Sequence, residues 1–295
     1  MEYDVSRMDP GYRFTIHGAS FIGSPRNGTV LFVTKKVRKL LENLKDAEEC
    51  LVFAETGLDI PEEFRKKNCF VTADDPQRAY AEFAREFRKD EAERERQRKW
   101  TQTPEGAWLG ENVTLGTGCV LENGCRIGHD VVLGDGAFIG AGSTVVHAEI
   151  GKDFGCLDRC SVGLDAFFMA EGETRFRIPS FGKVFIGDHV DLSANVIVER
   201  GFNSDTRIGD NTKIDSNVCV GHDAVLGKNV VITCGASLAG LVTVGDDVYI
   251  GMNAAVKQRL SIGDRATVGM GAVVISNVKA DTKVFGNPAV KFGIG

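Results

Sequence analysis

From Trp108 onward, aliphatic residues recur at every sixth position: Leu109, Leu115, Leu121, Ile127, Leu133, Ile139 and Val145. The phase slips by one residue at Ile150 and continues through Cys156 and Val162. The stretch LDAFFMAEGETRFRIPSFGKVF (164–185) has no period, and the pattern resumes at Ile186, Leu192 and Val198 before breaking again at RGFNSD (200–205). From Ile208 it runs through Ile214, Val220, Leu226, Ile232, Leu238, Val244, Ile250, Val256, Ile262 and Val268 to Val274. This is neither the period of about 3.6 of an amphipathic helix nor the alternation of a half-buried strand. A period of six, with glycine following many of the apolar residues, predicts a hexapeptide β-helix. Each hexapeptide supplies a short strand and a bend, and three of them complete a coil of 18 residues. Ile208, Leu226, Val244 and Ile262 stand 18 apart, and each is followed by glycine. Successive coils should stack at the strand spacing of about 4.8 Å.

Residues before Trp100 follow another pattern. FTIHGAS (14–20), TVLFV (29–33), CLVFAE (50–55) and CFVTA (69–73) read as short strands. TKKVRKLLENL (34–44) reads as a helix, and DDPQRAYAEFAREF (74–87) as a clearer one. In the latter Asp75 can cap, Pro76 suits the first turn, and Tyr80, Phe83, Ala84 and Phe87 form an apolar stripe. RKDEAERERQRKW (88–100) carries both charge signs and reads as a solvated helical extension or linker. The expected organisation is a small α/β domain with its charged linker over 1–100 and a mainly β domain, a parallel β-helix, over 101–295. A regular β-helix offers no concave site, so the excursion at 164–185 and the smaller bulge at 199–207 are the places to look for function. Phe167, Phe168, Phe176 and Phe181 in the excursion are candidates to cover a neighbouring subunit or an acyl chain.

The net charge of −6 argues against nucleic acid as the partner, while leaving room for a local basic pocket. No apolar run approaches a membrane span, and the N-terminal stretch lacks the pattern of a secretory signal. The 8 cysteines are scattered without a CxxC; Cys156 and Cys160 are the nearest pair. They read as buried small hydrophobes in a reducing, cytoplasmic compartment, with no metal site.

Within IDSNVCVGHDAVLG (214–227), His222 lies two residues past the core position Val220 and should point outward. Asp223 follows it and can orient an imidazole or support its charged form. Gly240 is 18 residues on, stacked over His222, and leaves space beside the ring; Asp215 and its neighbour Ser216 lie one face earlier. A base, an acid and an open slot suit acyl transfer.

These segments carry a resemblance. ASFIGSPRNGTVLFV (19–33), IPSFGKVFIGDHVDLSANVIVERGFNSDTRIGD (178–210) and IDSNVCVGHDAVLG together resemble the UDP-3-O-acylglucosamine N-acyltransferase family over about residues 13–275. The resemblance implies a left-handed β-helix, a homotrimer with sites between subunits, a nucleotide-linked amino sugar as acceptor and an acyl carrier protein thioester as donor. It casts His222 as general base, the Gly240 N–H as oxyanion donor, Asp215 as a sugar ligand, Phe32 as the aromatic stacked on uracil, and His147 as a match to a further family histidine. Lys35 and Arg38 stand where the family's uridine pocket has Asn and Tyr, Cys219 replaces a Gln, and Arg259 replaces a second histidine. The chain reads VFGNPAVKFGIG (284–295) in place of the family's C-terminal helices, and GNPA is similar to the end of coenzyme A-dependent sugar N-acetyltransferases. The donor is therefore expected to be an acyl carrier protein or a coenzyme A thioester, with no covalently bound cofactor.

Three other readings stay open at this stage. Cys219 is an alternative nucleophile. His129 and His147, 18 residues apart, could belong to the three-histidine zinc site of a γ-type carbonic anhydrase. A non-catalytic trimer that binds a sugar nucleotide would retain the scaffold without turnover.

Overall fold

A computed structural model describes residues 2–170 and 174–291. Contacts divide the chain into two units, Met1–Gln97 with Phe167–Phe181, and Arg98–Ala166 with Gly182–Gly295.

In the first unit, strands β1 (Gly18–Ala19), β2 (Thr29–Val33), β3 (Leu51–Glu55) and β4 (Cys69–Ala73) pair in chain order, all parallel. Val30, Leu31, Val33, Leu51 and Val52 are fully buried, the near-continuous apolar run that a parallel sheet requires. FTIHGAS proves to be two strands. Thr15–Ile16 pairs antiparallel with Tyr3–Asp4, whereas β1 pairs with β2, and His17 between them donates its N–H to Gly28 O.

Short helix α1 spans Glu62–Arg65 and long helix α2 spans Pro76–Gln97. Asp75 Oδ1 accepts the Arg78 N–H at 2.9 Å, satisfying a donor that the first turn leaves open. Tyr80, Ala84 and Phe87 are buried. The charged run continues the helix, braced by Arg88–Glu91 and Arg96–Glu93 pairs one turn apart. The expected helix at 34–44 is instead a 3₁₀ segment, Lys35–Asp46, broken at Val37. Its buried residues, Leu41 and Leu44, are three apart, the spacing a 3₁₀ turn keeps on one side.

The excursion contributes Met169–Ala170, paired antiparallel with Phe176–Arg177. The Phe176 ring lies beneath the guanidinium groups of Arg78 and Arg85, at 4.9 and 4.6 Å, and Phe181 stacks on Phe87. Both rings thus pack on α2 and remain partly exposed. Phe167 remains 71% exposed.

In the second unit, strands of two to four residues stack into three sheets of ten, ten and eight strands among the described residues. Pairing is parallel from coil to coil with a usual step of 18, as in Ile208↔Leu226↔Val244↔Ile262. The one-residue slip appears as Leu133↔Ile150. The aliphatic column fills the interior: Ile127, Ile139, Val145, Val162, Val198, Val220, Ile232 and Ile250 have no exposed surface. Many corners place one residue in the left-handed region. Asn211, Asn217, Asn229 and Asn253 do so with φ between +56° and +60°, a conformation that asparagine tolerates better than most side chains. At each end of the stack one of the three sheets finishes in an antiparallel pair, Thr101–Gln102 on Trp108–Leu109 and Val284–Phe285 with Val290–Lys291. These pairs occupy edges that would otherwise template another strand. Among the described residues no helix is long and apolar enough to cross a membrane.

A cavity in a mid-stack coil weakens contacts to both neighbouring coils. Ile232→Ala should therefore cost about 3–4 kcal/mol. Denaturant unfolding of the purified protein checks it, and a loss below about 1 kcal/mol would contradict so tightly filled a column.

Candidate functional site

His222 and Asp223 occupy the corner between strand Cys219–Val220 and strand Val225–Leu226. Asp223 takes the left-handed corner conformation, φ +56°, like the asparagines of other corners. Those asparagines are exposed, yet the Asp223 side chain is fully buried. The reason is the bulge that interrupts the period one coil earlier. It wraps the carboxylate and presents backbone donors: Phe202 N to Oδ2 at 2.8 Å, and Ser204 N and Asn203 N to Oδ1 at 2.6 and 3.3 Å. The Ser204 hydroxyl adds a bond at 2.6 Å, and the Asp223 N–H donates to Thr206 Oγ1. The bulge is itself tied down. Buried Arg200 pairs with Asp165 at 2.8 Å, and Gly182 N–H donates to Gly201 O.

The second oxygen of Asp223 meets His222 Nδ1 at 2.6 Å. Burial pushes the Asp223 carboxyl up, but the bonds from His222, Ser204 and Phe202 outweigh it and hold the group below the ordinary carboxylate range. An ionised Asp223 fixes the proton of neutral His222 on Nδ1, so Nε2 carries the lone pair. The His222 side chain is 14% exposed, edge-on to Phe202, and its backbone N–H donates to Glu199 Oε2.

Gly240 lies on the next coil. A Cβ there would overlap Nε2, Cε1 and Cδ2 of His222, so only glycine allows the ring its place. On either side Ala239 N–H donates to Val256 O and Leu241 N–H to His222 O, leaving the Gly240 N–H outside the ladder.

Other residues singled out in the sequence fall at varying distances from this corner. Asp215 and Ser216 stand at the opposite end of strand Cys219–Val220, and the Asp215 carboxylate accepts N–H bonds from Ser216 and Cys234. Cys219 is half-buried; burial, and then the charge of Glu199, raises its thiol pKa, which works against a thiolate nucleophile. Arg259 occupies the column of Asp223 and Leu241 and is exposed, its N–H donating to Gly240 O. His147 lies three rungs from His222 in the stacking order, about 14 Å at the usual spacing. Stacking does not bring the two together.

His129 accepts the Glu111 N–H on Nδ1 at 2.7 Å, and its ring packs on Trp100. Among the described residues no group of three or more His, Cys, Asp or Glu side chains could hold a metal within one chain. In the first unit Lys35 and Arg38 line a groove of about 750 Å³ together with Lys39, Glu42 and Asp59. Phe32 does not line it; its ring packs on Tyr80 at a centroid distance of 5.3 Å. Sequence reasoning missed Glu199, Phe202, Asn203, Ser204 and Thr206. Their signal was the broken period at RGFNSD, which showed that something left the scaffold but not what it embraced.

Residues 112–147 and 205–240 match the bacterial transferase hexapeptide family (six repeats), and 241–276 match the hexapeptide repeat of succinyl-transferase. The matched coils are hexapeptide repeats. This hexapeptide β-helix is similar to UDP-3-O-acylglucosamine N-acyltransferase of Methylorubrum extorquens, 36% identical over 104 residues, which are 35% of this chain and 30% of that one. The Neisseria gonorrhoeae enzyme of the same name is 40% identical over 83 residues, 28% of this chain and 24% of that one. The chain thus spans about 30% of the length of the curated relatives it matches. Among solved structures it is similar to the UDP-N-acetylglucosamine acyltransferases of Francisella novicida (TM-score 0.60, 24% identity, 66% of this chain and 71% of that one) and Campylobacter jejuni (0.59, 22%, 65% and 74%). The fold is a left-handed parallel β-helix with a small N-terminal α/β unit.

Two outcomes follow from the site's geometry. The backbone at Gly240 is open to alanine but the imidazole is in the way. Gly240→Ala should leave stability within about 1 kcal/mol and displace His222, lowering any turnover roughly 100-fold. An unchanged rate would show the ring is not held there. Asp223 is depressed in the folded state, so its contribution to stability is full above the unfolded carboxyl value near pH 4. It is lost as the pH falls below that value toward the folded one. In urea unfolding, the advantage of wild type over Asp223→Asn should shrink between pH 5 and pH 3; a constant gap would contradict the assignment.

Proposed function

We propose that the protein transfers an acyl group from a thioester to the amine of a nucleotide-linked amino sugar. The observation that carries this reading is the His222 imidazole, fixed through Nδ1 by the buried Asp223 carboxylate, with Nε2 beside the side-chain-free Gly240. The N-acyltransferase names of the curated relatives support the same chemistry.

In the proposed reaction His222 Nε2 accepts a proton as the amine nitrogen attacks the thioester carbonyl carbon. The C–N bond forms and the carbonyl oxygen takes the electron pair, with the Gly240 N–H as its donor. Collapse breaks the C–S bond, and the imidazolium returns the proton to the departing sulfur. The products are an amide and a thiol, with no acyl-enzyme. The raised thiol pKa of Cys219 agrees with direct attack. Asp223, already anionic and fully hydrogen-bonded, offsets the positive charge on His222 as it forms.

Lys35, Arg38 and Lys39 give the first unit's groove the charge to hold a nucleotide's phosphates. A homotrimer is part of the proposal. On one face of the β-helix the outward positions beyond Arg126, namely Thr144, Ser161, Ile197, Cys219, Ser237, Ala255 and Val273, carry no charge, which suits self-association. The donor is an acyl carrier protein or a coenzyme A thioester, and the GNPA segment favours including acetyl-coenzyme A among the donors tried.

The test is thiol release with acyl carrier protein and coenzyme A thioesters against a panel of UDP-linked amino sugars. One pair should turn over, and His222→Ala should lower kcat by about 10³-fold with an unchanged melting temperature. Wild-type turnover by that variant would sink the mechanism, and no turnover with any pair would sink the substrate class.

A further inference from the structure

The heptapeptide around the proposed base occurs twice. GHDVVLG (128–134) and GHDAVLG (221–227) differ only at Val131 and Ala224. Both copies occupy the same corner of the coil, following strands Arg126–Ile127 and Cys219–Val220 of a single sheet. The molecule therefore contains its own control, with near-identical local sequence on an equivalent backbone. Asp130 and Asp223 even share the left-handed conformation, φ +60° and +56°.

The side chains nevertheless do different things. Asp130 turns outward, where Arg98 grips it with Nη1 at 2.5 Å and Nη2 at 3.1 Å and Asn112 adds a bond at 3.1 Å. It is exposed, and the hydrogen bonds from Arg98 and then Asn112, with the charge of Arg98 behind them, hold its carboxyl below the ordinary range. His129 accepts the Glu111 N–H on Nδ1. A nitrogen that accepts is unprotonated, so neutral His129 carries its proton on Nε2. His222 Nδ1 instead faces the ionised Asp223 carboxylate at 2.6 Å, which draws the proton of the neutral ring to Nδ1 and leaves Nε2 unprotonated. These contacts favour opposite tautomers for the two histidines of one repeated motif.

What separates them lies outside the motif. No bulge precedes the first copy, since the six-residue period is unbroken from Leu109 to Val145. The second copy follows the bulge whose Phe202, Asn203 and Ser204 amides and Ser204 hydroxyl turn its aspartate inward. We propose that Ser204, with the bulge that carries it, is the positioning residue that makes the second copy a base, and that the first copy is an inert scaffold corner clamped by Arg98. This rests on the reading of His222 as the base, but the tautomers can be measured without any turnover.

The experiment is long-range ¹H–¹⁵N correlation on the full-length protein labelled with ¹⁵N-histidine, above the pH at which the rings are charged. Five histidines give five ring patterns, assigned by single His→Gln variants. His222 should show the Nδ1–H pattern and His129 the Nε2–H pattern. The same tautomer at both sites in wild type overturns the inference, and this comparison needs no variant that might misfold.

Ser204→Ala should then shift the His222 pattern toward a tautomer mixture while the His129 pattern stays, reporting an intact stack in the same sample. With an active substrate pair, kcat should fall about 10-fold at unchanged KM; Ser204→Thr, which keeps the hydroxyl, should recover most of it, and His129→Gln should turn over as wild type. An unmoved His222 pattern in Ser204→Ala, or wild-type kcat, overturns the role of Ser204. Loss of turnover in His129→Gln overturns the inert assignment. Failure of His222→Ala to lose activity would instead remove the base reading and leave the tautomer contrast standing.

Discussion

Every feature of the second unit depends on one constraint: backbone hydrogen bonds tie each short strand to its counterpart one coil away, usually 18 residues on. That spacing forces an aliphatic residue inward at each step and a turn after it. Glycine, or an asparagine or aspartate willing to adopt positive φ, meets the turn at many corners. The result is rigid but featureless, since a prism of identical rungs has outward side chains and no hollow. Chemistry requires a local departure from the repeat, at a place where the surrounding rungs hold it still.

The bulge at 199–207 is such a departure. Opening the ladder there releases backbone N–H groups that a regular coil would spend on its neighbour, and three of them converge on Asp223. Burying a lone carboxylate is costly, whereas one that accepts several short bonds stays ionised in a dry setting. The imidazole of His222 inherits its orientation from that anion, and the missing side chain at Gly240 leaves the ring its position. Three adjacent rungs therefore share the work: one supplies the donors, the next the histidine–aspartate pair, the third the open slot.

Much of this was legible beforehand because repeats are dictated by local, periodic physics. The period of six, its slip at Ile150, the two interruptions and the pairing of Asp223 with His222 can all be read from residue spacing. The first unit was less transparent. The stretch at 14–20 looked like one strand but is divided at His17 between two partners, and the stretch at 34–44 looked α-helical but forms 3₁₀ turns anchored by Leu41 and Leu44. In both, the local pattern suits more than one geometry, and the pairing partner or the buried pair makes the choice. Phe32 and the basic pair Lys35–Arg38 are close in sequence yet part company, since the ring turns toward Tyr80 while the cations line the groove.

By itself the sequence determined the scaffold: the coil repeat, the inward column, and where the chain must leave it. Such features follow from nearest neighbours in the chain and from the strand spacing, so no distant contact is needed to foresee them. It also pointed to His222 and Asp223, through the glycine stacked over the ring, but not to what holds that pair in place. Residues 128–134 and 221–227 are almost the same peptide. Only the tertiary structure separates their surroundings, by placing Arg98 over one aspartate and the Ser204 bulge over the other. The reason is physical: where an ionised side chain points depends on which donors reach it, and those donors come from other parts of the fold.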